Sequence, residues 1–309
     1  MFEIKQFPEF SWSFSRHQSV LNCQRKYAYD YYISHNGWLK RNVEPISQHA
    51  YRLKKLQHLP MFFGQIAHEI IEQTIKQIMY TKTLPRVETL IEQAREKLND
   101  AYISSKKQYN AWVDKPSRYN MFFDIYYDGK LDAEQVEIYK ERLAIIFTNF
   151  LNSYTVQQLL TRSEQIKINQ TEEFRFLKLH DIKVYIVMDL LYHDVETNKW
   201  IIVDWKTGKA SASDKQQLAL YALYLQQHLG LPLDAIEVRN EYLLNHKHTN
   251  TQLEQFDLDS VLDIFNESIR YMKRFQADIL TNEPVDLEDF ERTEMKEKCA
   301  KCNYKEICI

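Results

Sequence analysis

Glycine and long apolar runs are scarce in this chain of 309 residues. Only five glycines are present, which argues against the glycine-rich phosphate-binding loops of Rossmann and P-loop proteins. No apolar run approaches the roughly 20 residues needed to cross a bilayer, and the opening MFEIKQFPEF contains no apolar signal segment. We therefore expect a cytoplasmic protein without a membrane partner. A hydrophobic fraction of 44% supports a sizeable core, and the length suits one elaborated domain or two small ones.

Net charge is also small, at −3, so the chain is not a polycation that binds nucleic acid through bulk charge. The charges are unevenly distributed. Residues 1–60 contain nine Lys and Arg against four Asp and Glu, whereas residues 283–297 contain seven acids. This distribution predicts separate basic and acidic surfaces. Two differently solvated faces would give the same pattern.

Cysteine is rare, and its four positions form one pattern. Cys299, Cys302 and Cys308 make a C-x-x-C-x5-C cluster near the end of the chain, while Cys23 stands alone near the start. In a cytosolic protein such a set is more often a metal site than a set of disulfides. Four thiolates suit a tetrahedral zinc ion or an iron–sulfur cluster. Unliganded thiols are the third interpretation.

Two short apolar runs, residues 184–191 and 200–205, are separated by the polar sequence VETN, so we predict adjacent β-strands. Each run carries a carboxylate into the predicted core, Asp189 on the first and Asp204 on the second. Burying these charges is costly unless they pair or hold a metal, and their oxygens suit a hard divalent cation. Lys206 shares a side of its strand with Asp204, because side chains alternate. The pattern predicts a hydrolytic metal site.

A helix is predicted to follow this pair of strands. Ser213 and Gln216 have the spacing of a capping box, and Gln217 and Tyr221 lie one turn apart on the predicted helix. The D-x-K sequence followed by a Q-x-x-x-Y helix resembles the RecB-like branch of the PD-(D/E)XK nuclease superfamily. That resemblance implies that Gln217 and Tyr221 contact DNA or brace the lysine. Helix packing alone is the alternative for Tyr221.

The same resemblance assigns roles to the residues of the strands. It implies that Asp189, Asp204 and Lys206 form the catalytic signature. It also implies that Asp189 and Asp204 ligate Mg²⁺ or Mn²⁺, with the main-chain carbonyl of Trp205 as a further ligand.

A further motif lies in MFFGQIAHEIIEQTIKQIMY, a predicted amphipathic helix. Gly64 and His68 share a face of this helix with several isoleucines. A lone His on an apolar face is usually a hydrogen-bonded core residue. Here the G-x-x-x-H-E pattern resembles the first motif of the RecB-like nucleases, which implies that His68 is a metal ligand.

The placement of the cysteines, one before the nuclease motifs and three after them, resembles the iron–sulfur members of this group. These are the AddB nuclease subunit, the CRISPR adaptation nucleases and the bacterial relatives of exonuclease five. The stretch SFSRHQSVLNCQRKYAYDYY is similar to their N-terminal segment, with Gln24 in place of Pro. The resemblance implies a 4Fe-4S cluster that joins the two ends of the domain, and zinc is the chemical alternative. Its ligands would be Cys23, Cys299, Cys302 and Cys308.

Two expectations concern the ends of the chain. Arg25 and Lys26, beside the first cysteine, are candidate DNA contacts on a helix predicted over residues 15–33. The final segment, residues 283–309, has few apolar residues of its own, so we expect ligation of the cysteines to hold it in place.

The predicted fold is one α/β domain over residues 1–309, a restriction-endonuclease-like mixed central sheet flanked by helices. It includes a helical insertion over about residues 80–160 and an iron–sulfur staple that joins the termini. The remaining predicted elements are an extended connection over 34–60, helices over 87–107, 131–160 and 257–279, a strand over 166–179, and a strand in AIEVRNEYLLN with a hairpin partner over 251–256.

Together the motifs predict a metal-dependent DNA nuclease, a single-strand or end-directed exonuclease of DNA repair, recombination or defence. DNA is the expected partner, and a helicase is a further candidate. A catalytically silent nuclease-fold subunit, which binds DNA or serves as a scaffold in a helicase–nuclease complex, is the first alternative. An iron–sulfur electron carrier is the second. The complete set of His, Asp, Asp and Lys counts against both.

Overall fold

The computed structural model describes residues 4–211 and 213–308, without the side chains of residues 169–174. Residues 1–3, 212 and 309, the last of which ends the predicted cluster-binding segment, lie outside the described residues. The helices are α1 (Phe14–Asn22), α2 (Gln24–Ala28), α3 (Pro45–Lys54), α4 (Leu59–Thr81), α5 (Val87–Lys107), α6 (Tyr109–Asp114), α7 (Phe123–Asp128), α8 (Ala133–Leu151), α9 (Tyr154–Thr161), α10 (Asp214–Leu229), α11 (Gln255–Met272) and α12 (Lys296–Ala300). The strands are β1 (Ser11–Trp12), β2 (Ile166–Leu179), β3 (Ile182–Asp194), β4 (Lys199–Lys206), β5 (Ile236–Tyr242), β6 (Lys247–Gln252), β7 (Gln276–Asp278) and β8 (Glu283–Pro284).

Strand β3 is the centre of a mixed sheet. Along one edge it pairs with β2 in antiparallel fashion, and along the other it pairs first with β1 in parallel and then with β4 in antiparallel fashion. Strand β4 continues the sheet to β5 in parallel, and β5 pairs with β6 in antiparallel fashion. The predicted mixed sheet with flanking helices is therefore confirmed.

The turn between β3 and β4 forms where the polar VETN sequence predicts it. Asn198 adopts a left-handed backbone conformation, with φ at 51°, which Asn tolerates better than most residues. Asp194, at the end of β3, accepts the backbone N–H groups of Glu196 and Thr197. It also pairs with Arg162 at 2.8 Å. These contacts fix the register of the two strands that carry the predicted carboxylates.

Apolar side chains pack on both faces of the sheet. On β4, Ile201, Val203 and Trp205 belong to a core formed with α4, α5, α8 and α9. Ile202, between them, belongs to a second core formed with α10 and α11. Because side chains alternate along a strand, Asp204 and Lys206 lie on the same side as Ile202, toward α10.

Helices in the N-terminal third differ from prediction in two places. The helix predicted over residues 15–33 breaks at Cys23, whose backbone is extended (φ −167°, ψ 113°). The Cys23 sulfur accepts the backbone N–H of Lys26 and caps α2, and a π-helical turn follows over Tyr29–Ile33. The connection over residues 34–60, expected to be extended, contains α3. Pro45 starts this helix, where a missing N–H costs nothing.

Later elements are shifted or divided relative to prediction. The helix predicted over residues 131–160 is two helices, because Ser153 caps α9 through its hydroxyl, which accepts the N–H of Val156. The hairpin partner expected over 251–256 is β6, which begins earlier and pairs with β5. The last long helix, expected over 257–279, ends at Met272. None of the described helices combines the length and apolar composition needed to cross a membrane.

The C-terminal segment has contacts of its own, contrary to the expectation that ligation would mainly hold it. Tyr304 is fully buried and stacks on Tyr29, with 4.9 Å between ring centroids. Its hydroxyl donates to Asp30 Oδ1 at 2.6 Å. Asn303 donates to the carbonyl of Leu53 at 3.0 Å. The end of the chain is thus packed onto the π-helical turn after α2 and onto α3 through one large aromatic residue and several hydrogen bonds.

Candidate active site

The two predicted carboxylates meet where strands β3 and β4 separate. The paired register ends at Leu190 opposite Val203, and its extension by one residue places Asp189 opposite Asp204. The backbone N–H of Trp205 donates to Asp189 Oδ2 at 2.7 Å. The side chain of Asp189 therefore accepts a backbone N–H of β4 beyond the point where β3 and β4 stop pairing.

His68 reaches the same point from helix α4. Its Nδ1 lies 3.2 Å from Asp189 Oδ1. One turn earlier in the helix, Gly64 faces Thr207, just after β4, and a Cβ atom at residue 64 would lie 3.5 Å from the Thr207 hydroxyl. The close packing of α4 on the end of β4 is what brings His68 beside the carboxylates.

Lys206 lies between the carboxylates and helix α10. Its Nζ is 2.8 Å from Asp204 Oδ2 and donates to Gln217 Oε1 at 2.9 Å. Gln217 in turn donates to the hydroxyl of Tyr221 at 2.5 Å, and that hydroxyl donates to the carbonyl of Val187. Gln217 and Tyr221 thus brace Lys206 through a chain of hydrogen bonds that ends on β3.

The buried position of Tyr221 favours one of its two predicted roles. Its side chain is buried in the second core, and its hydroxyl hydrogen is used by the carbonyl of Val187. Burial, together with the charges of Asp204 and Asp189, holds the pKa of Tyr221 well above its usual value. A neutral, internally bonded phenol suits a brace for Lys206 rather than a DNA contact.

The charges at the site influence one another. Asp204 is only 4% exposed, and burial together with the nearby charge of Asp189 raises its pKa to about 7, although Lys206 acts in the opposite direction. Burial opposes the charge of Lys206, but the carboxylates of Asp204 and Asp214 outweigh it and raise the lysine's pKa. Lys206 therefore keeps its positive charge. The negative charge of ionised Asp204, in contrast, is only partly balanced by the positive groups of the protein.

These side chains surround an open cavity of about 550 Å³, the catalytic cavity. The predicted residues that line it are His68, Asp189, Asp204, Trp205, Lys206, Gln217 and Tyr221. Ser15 from the start of α1, Tyr185 from β3 and Lys209 after β4 also line it. No role was assigned to these three from the sequence.

Sequence reasoning also missed Asp214. Ser213 precedes α10 as predicted, but its hydroxyl contacts Ser211 Oγ and forms no capping hydrogen bond with the helix. Instead Asp214, the first residue of α10, accepts the backbone N–H of Ser211 at 2.9 Å. Asp214 Oδ1 lies 3.6 Å from the Nζ of Lys206. An acid at the start of a helix that follows D-x-K is the signal that could have indicated it.

The donor chemistry of the catalytic cavity fits a divalent cation. Two carboxylates and an imidazole face one opening, and Asp204 Oδ2 is buried without a directed hydrogen bond, so that its contact with Lys206 is an ion pair. A bound cation would supply the missing positive charge. In the part of the chain that the structure describes, no three His, Cys, Asp or Glu side chains converge closely enough to hold one metal ion.

The two predicted DNA contacts beside Cys23 lie elsewhere. Arg25 is buried, and its Nε donates to the carbonyl of Phe290 at 2.8 Å. Lys26 pairs with Asp30 at 2.5 Å. Arg25 therefore ties the N-terminal segment to the C-terminal segment, and burial removes it from contact with DNA in this structure.

The four cysteines line one further cavity, of about 680 Å³, the cysteine cavity. Burial raises the pKa of Cys302 to about 11, and the neighbouring thiols of Cys23 and Cys308 act in the same direction. Basic side chains also line the cavity, namely Lys26, Arg292, Lys298, Lys301 and Lys305. The structure thus brings together residues that lie as far apart in sequence as 23 and 308.

Comparison with known proteins agrees with the class of site that these residues form. The sequence profile of the PD-(D/E)XK nuclease superfamily matches residues 11–309. The chain therefore belongs to the PD-(D/E)XK nuclease superfamily, and the activity implied by this membership is phosphodiester hydrolysis.

Other comparisons are more distant. Among solved structures, the chain is similar to one titled "Crystal structure of SSO0001", with 16% identity and a TM-score of 0.27 over 60% of this chain and 79% of that one. No curated protein matches the sequence. The assignment rests on the family match.

Proposed function

We propose that the protein is a Mg²⁺- or Mn²⁺-dependent deoxyribonuclease of the RecB-like branch that acts on single-stranded DNA or on free ends. The observation that carries the proposal is that His68, Asp189, Asp204 and Lys206 all line the catalytic cavity. These groups come from helix α4 and from two adjacent strands, so rigid elements hold them in place. DNA repair, recombination or defence is the corresponding biological setting.

The roles of the residues follow from their chemistry. His68, Asp189, Asp204 and the carbonyl of Trp205 would hold the cation, which would activate a water and offset charge on the scissile phosphate. Lys206 supplies a fixed positive charge beside that position and orients the attacking water or stabilises the transition state. Gln217 holds the ammonium of Lys206 in place, and Tyr221 holds Gln217.

We further propose that the cysteine cavity binds a 4Fe-4S cluster, with zinc as the chemical alternative. Support comes from the four thiols that line one cavity and from the basic side chains around them. Positive neighbours favour the thiolate forms that ligate metal, although burial opposes them. The ligands would be Cys23, Cys299, Cys302 and Cys308.

A basic cavity of about 510 Å³ is the best candidate for DNA contacts outside the catalytic cavity. Lys40, Arg52, Lys115 and Arg118 line it, against one acid, Asp114. Trp38, half exposed, lies at the same cavity. Cationic groups beside an exposed aromatic ring are the combination that binds phosphates and stacks bases of single strands.

The silent-subunit alternative requires a nuclease fold without a working site, and the presence of every predicted catalytic side chain counts against it. The experiment is to incubate the purified protein with end-labelled single-stranded, duplex and circular DNA, with Mg²⁺, with Mn²⁺ and with a chelator. Cation-dependent loss of the linear substrates with circles intact supports an exonuclease. Cutting of circles would replace it with an endonuclease. DNA binding without cleavage under every condition would favour the silent subunit, and a helicase partner would then be sought.

A further inference from the structure

We infer that Asp214 is a positioning residue that holds the ammonium of Lys206 in its catalytic position from the side away from the catalytic cavity. The inference rests on the proposed nuclease function and extends it to a residue outside the catalytic cavity. Among the described residues, three groups contact the ammonium of Lys206, namely Asp204 at 2.8 Å, Gln217 at 2.9 Å and Asp214 at 3.6 Å. The three groups differ in whether they can still balance the charge of Lys206 when a cation is bound.

Asp204 faces the catalytic cavity and is a proposed ligand of the cation, so its charge would be shared. Gln217 is an uncharged amide, which can orient an ammonium group but cannot balance its charge. Asp214 is a full carboxylate that does not line the catalytic cavity, and it is only 7% exposed. It is therefore the partner whose charge stays with Lys206 when a cation engages Asp204.

The two oxygens of Asp214 have separate functions in the structure. Oδ2 accepts the backbone N–H of Ser211 at 2.9 Å and the hydroxyl of Tyr242 at 3.1 Å. Oδ1 is the oxygen nearest to Lys206. Two donors therefore fix the carboxylate while its second oxygen faces the ammonium, which is the arrangement expected of a group that orients another side chain.

Tyr242 connects this arrangement to the sheet. In the parallel pairing of β4 with β5, Tyr242 is the residue opposite Lys206. The lysine and the tyrosine that fixes its carboxylate partner are thus set by one strand register. A shift in the register of either strand would misplace both Lys206 and Tyr242. Through its contacts with these two residues, Asp214 links the position of the lysine to the register of the sheet.

A purely structural role for Asp214, as the acid that closes the turn before α10, is the competing explanation. Asp194 offers a matched control, because it is also buried, also accepts backbone N–H groups of a turn and also pairs with a cation, Arg162. Asp194 lies at the other end of the β3–β4 hairpin, away from the catalytic cavity. Its substitution should cost stability without affecting the position of Lys206.

The test compares Asp214→Asn with Asp194→Asn, measuring kcat, KM for single-stranded DNA, Mn²⁺ affinity and melting temperature. Asp214→Asn should lower kcat by about 10–100-fold, by analogy with the loss of partners that orient metal ligands, while KM and Mn²⁺ affinity stay near wild type. Asp194→Asn should lower the melting temperature with kcat near wild type. Equal kcat in the two variants, after allowance for the folded fraction, would overturn the inference.

Two further arms keep the inference testable. If Asp214→Asn does not fold, Tyr242→Phe retains the carboxylate but removes one of its two donors, and a smaller fall in kcat is expected; an unchanged kcat would overturn the inference. If wild type cleaves no DNA with either cation, the proposed function fails, and crystal structures of wild type and Asp214→Asn decide the rest. Displacement of the Lys206 ammonium from Gln217 supports positioning, whereas an unmoved lysine contradicts it.

Discussion

The catalytic cavity and the cysteine cavity are both built from ionisable side chains, but they are assembled in different ways. In the catalytic cavity, the groups come from adjacent strands and a packed helix, and Asp189, Asp204 and His68 each contact another polar group of the site. In the cysteine cavity, the ligand candidates come from opposite ends of the chain. Cys23 Sγ contacts the N–H of Lys26 and Cys299 Sγ contacts the carbonyl of Thr293.

Because of this difference, a metal bound at one cavity would act mainly on chemistry, and a metal bound at the other would act mainly on stability. The catalytic groups are positioned by the sheet, so a cation there would mainly balance charge on a frame that is already folded. Ligation of one metal centre by the cysteines would close a loop of nearly the whole chain and so remove entropy from the unfolded state, and this effect grows with loop length. Loss of metal should therefore affect activity at the first site and stability at the second.

The largest expected effect concerns catalysis alone. Lys206→Ala removes the fixed cation of the catalytic cavity and should lower kcat by at least about 10²-fold, the effect of removing one preorganised electrostatic group. Binding of Mn²⁺ should persist, because the proposed ligands are intact. Wild-type cleavage in this variant would exclude Lys206 from the reaction. Lys209→Ala, in the same cavity but without an assigned role, is the matched control.

At the cysteine cavity, Cys302→Ser should affect stability and leave catalysis largely intact. We expect loss of iron and a fall in the free energy of unfolding at or above the upper end of the roughly 0.5–3 kcal/mol that most substitutions cost, because loss of a metal is among the causes of the larger values. Metal-supported cleavage should be retained in the folded fraction. The C-terminal segment should stay docked, because Tyr304 and Asn303 hold it independently. Iron analysis measures the loss of metal, denaturant unfolding measures the free energy of unfolding, and limited proteolysis shows whether the C-terminal segment stays docked.

Lys301→Ala serves as the control for this variant, since residue 301 is an exposed neighbour in the same segment. Release of the C-terminal segment in Cys302→Ser would show that ligation alone holds it. A full complement of iron in the variant would remove Cys302 from the ligands.

A smaller effect should appear in the metal-free catalytic cavity. The raised pKa of Asp204 means that the folded, metal-free protein favours the protonated acid. The contribution of protonated Asp204 to stability is fully present below the usual pKa of 3.8 and is lost as pH rises through the raised pKa of about 7. Asp204→Asn should therefore melt higher than wild type at pH 8 in a chelator, by roughly 1–2 °C for each kcal/mol gained in a chain of this length. The two should converge near pH 4.

Thermal melts of both proteins across this pH range, with and without Mn²⁺, measure the effect. Mn²⁺ should raise the melting temperature of wild type more than that of the variant. A variant less stable than wild type at pH 8 without metal would show that the ionised carboxylate is already compensated by the protein.

The smallest expected effect concerns DNA binding at the basic cavity. Affinity for single-stranded DNA should fall as salt rises, because phosphate contacts release counterions. Arg118→Ala should reduce the slope of log affinity against log salt by about 0.7 per lost contact. Arg270→Ala, an exposed arginine on α11, should leave the slope unchanged. Identical slopes for the two variants would exclude Arg118 from the binding surface.

Much of the catalytic cavity could be predicted from sequence because its residues follow short-range rules. Alternation along a strand places Asp204 and Lys206 together, and a polar turn between two apolar runs predicts the adjacency of Asp189. Helical spacing alone predicts the pairing of Gln217 with Tyr221. These features depend on periodicity, which a single sequence displays.

What could not be predicted depends on contacts between distant segments. The hydroxyl of Tyr242 reaches Asp214 only because β5 pairs in parallel with β4, and no local pattern encodes that register. Burial of Arg25, which donates to the carbonyl of Phe290, likewise follows from docking of the C-terminal segment. Cys23 breaks a stretch that has helical composition, because its sulfur caps the next helix. Local propensity yields to tertiary contacts at each of these positions.

The most direct test of the central claim is cleavage of end-labelled single-stranded DNA by wild type and Asp204→Asn across a Mn²⁺ titration. Asp204→Asn removes a proposed metal ligand while preserving the size of the side chain. We predict Mn²⁺-dependent cleavage by wild type and none detectable in the variant at any Mn²⁺ concentration, with DNA binding unchanged in a chelator. Equal cleavage by the two proteins, or cleavage by wild type that a chelator does not abolish, would contradict the assignment of Asp204 and its neighbours as the metal-dependent catalytic site.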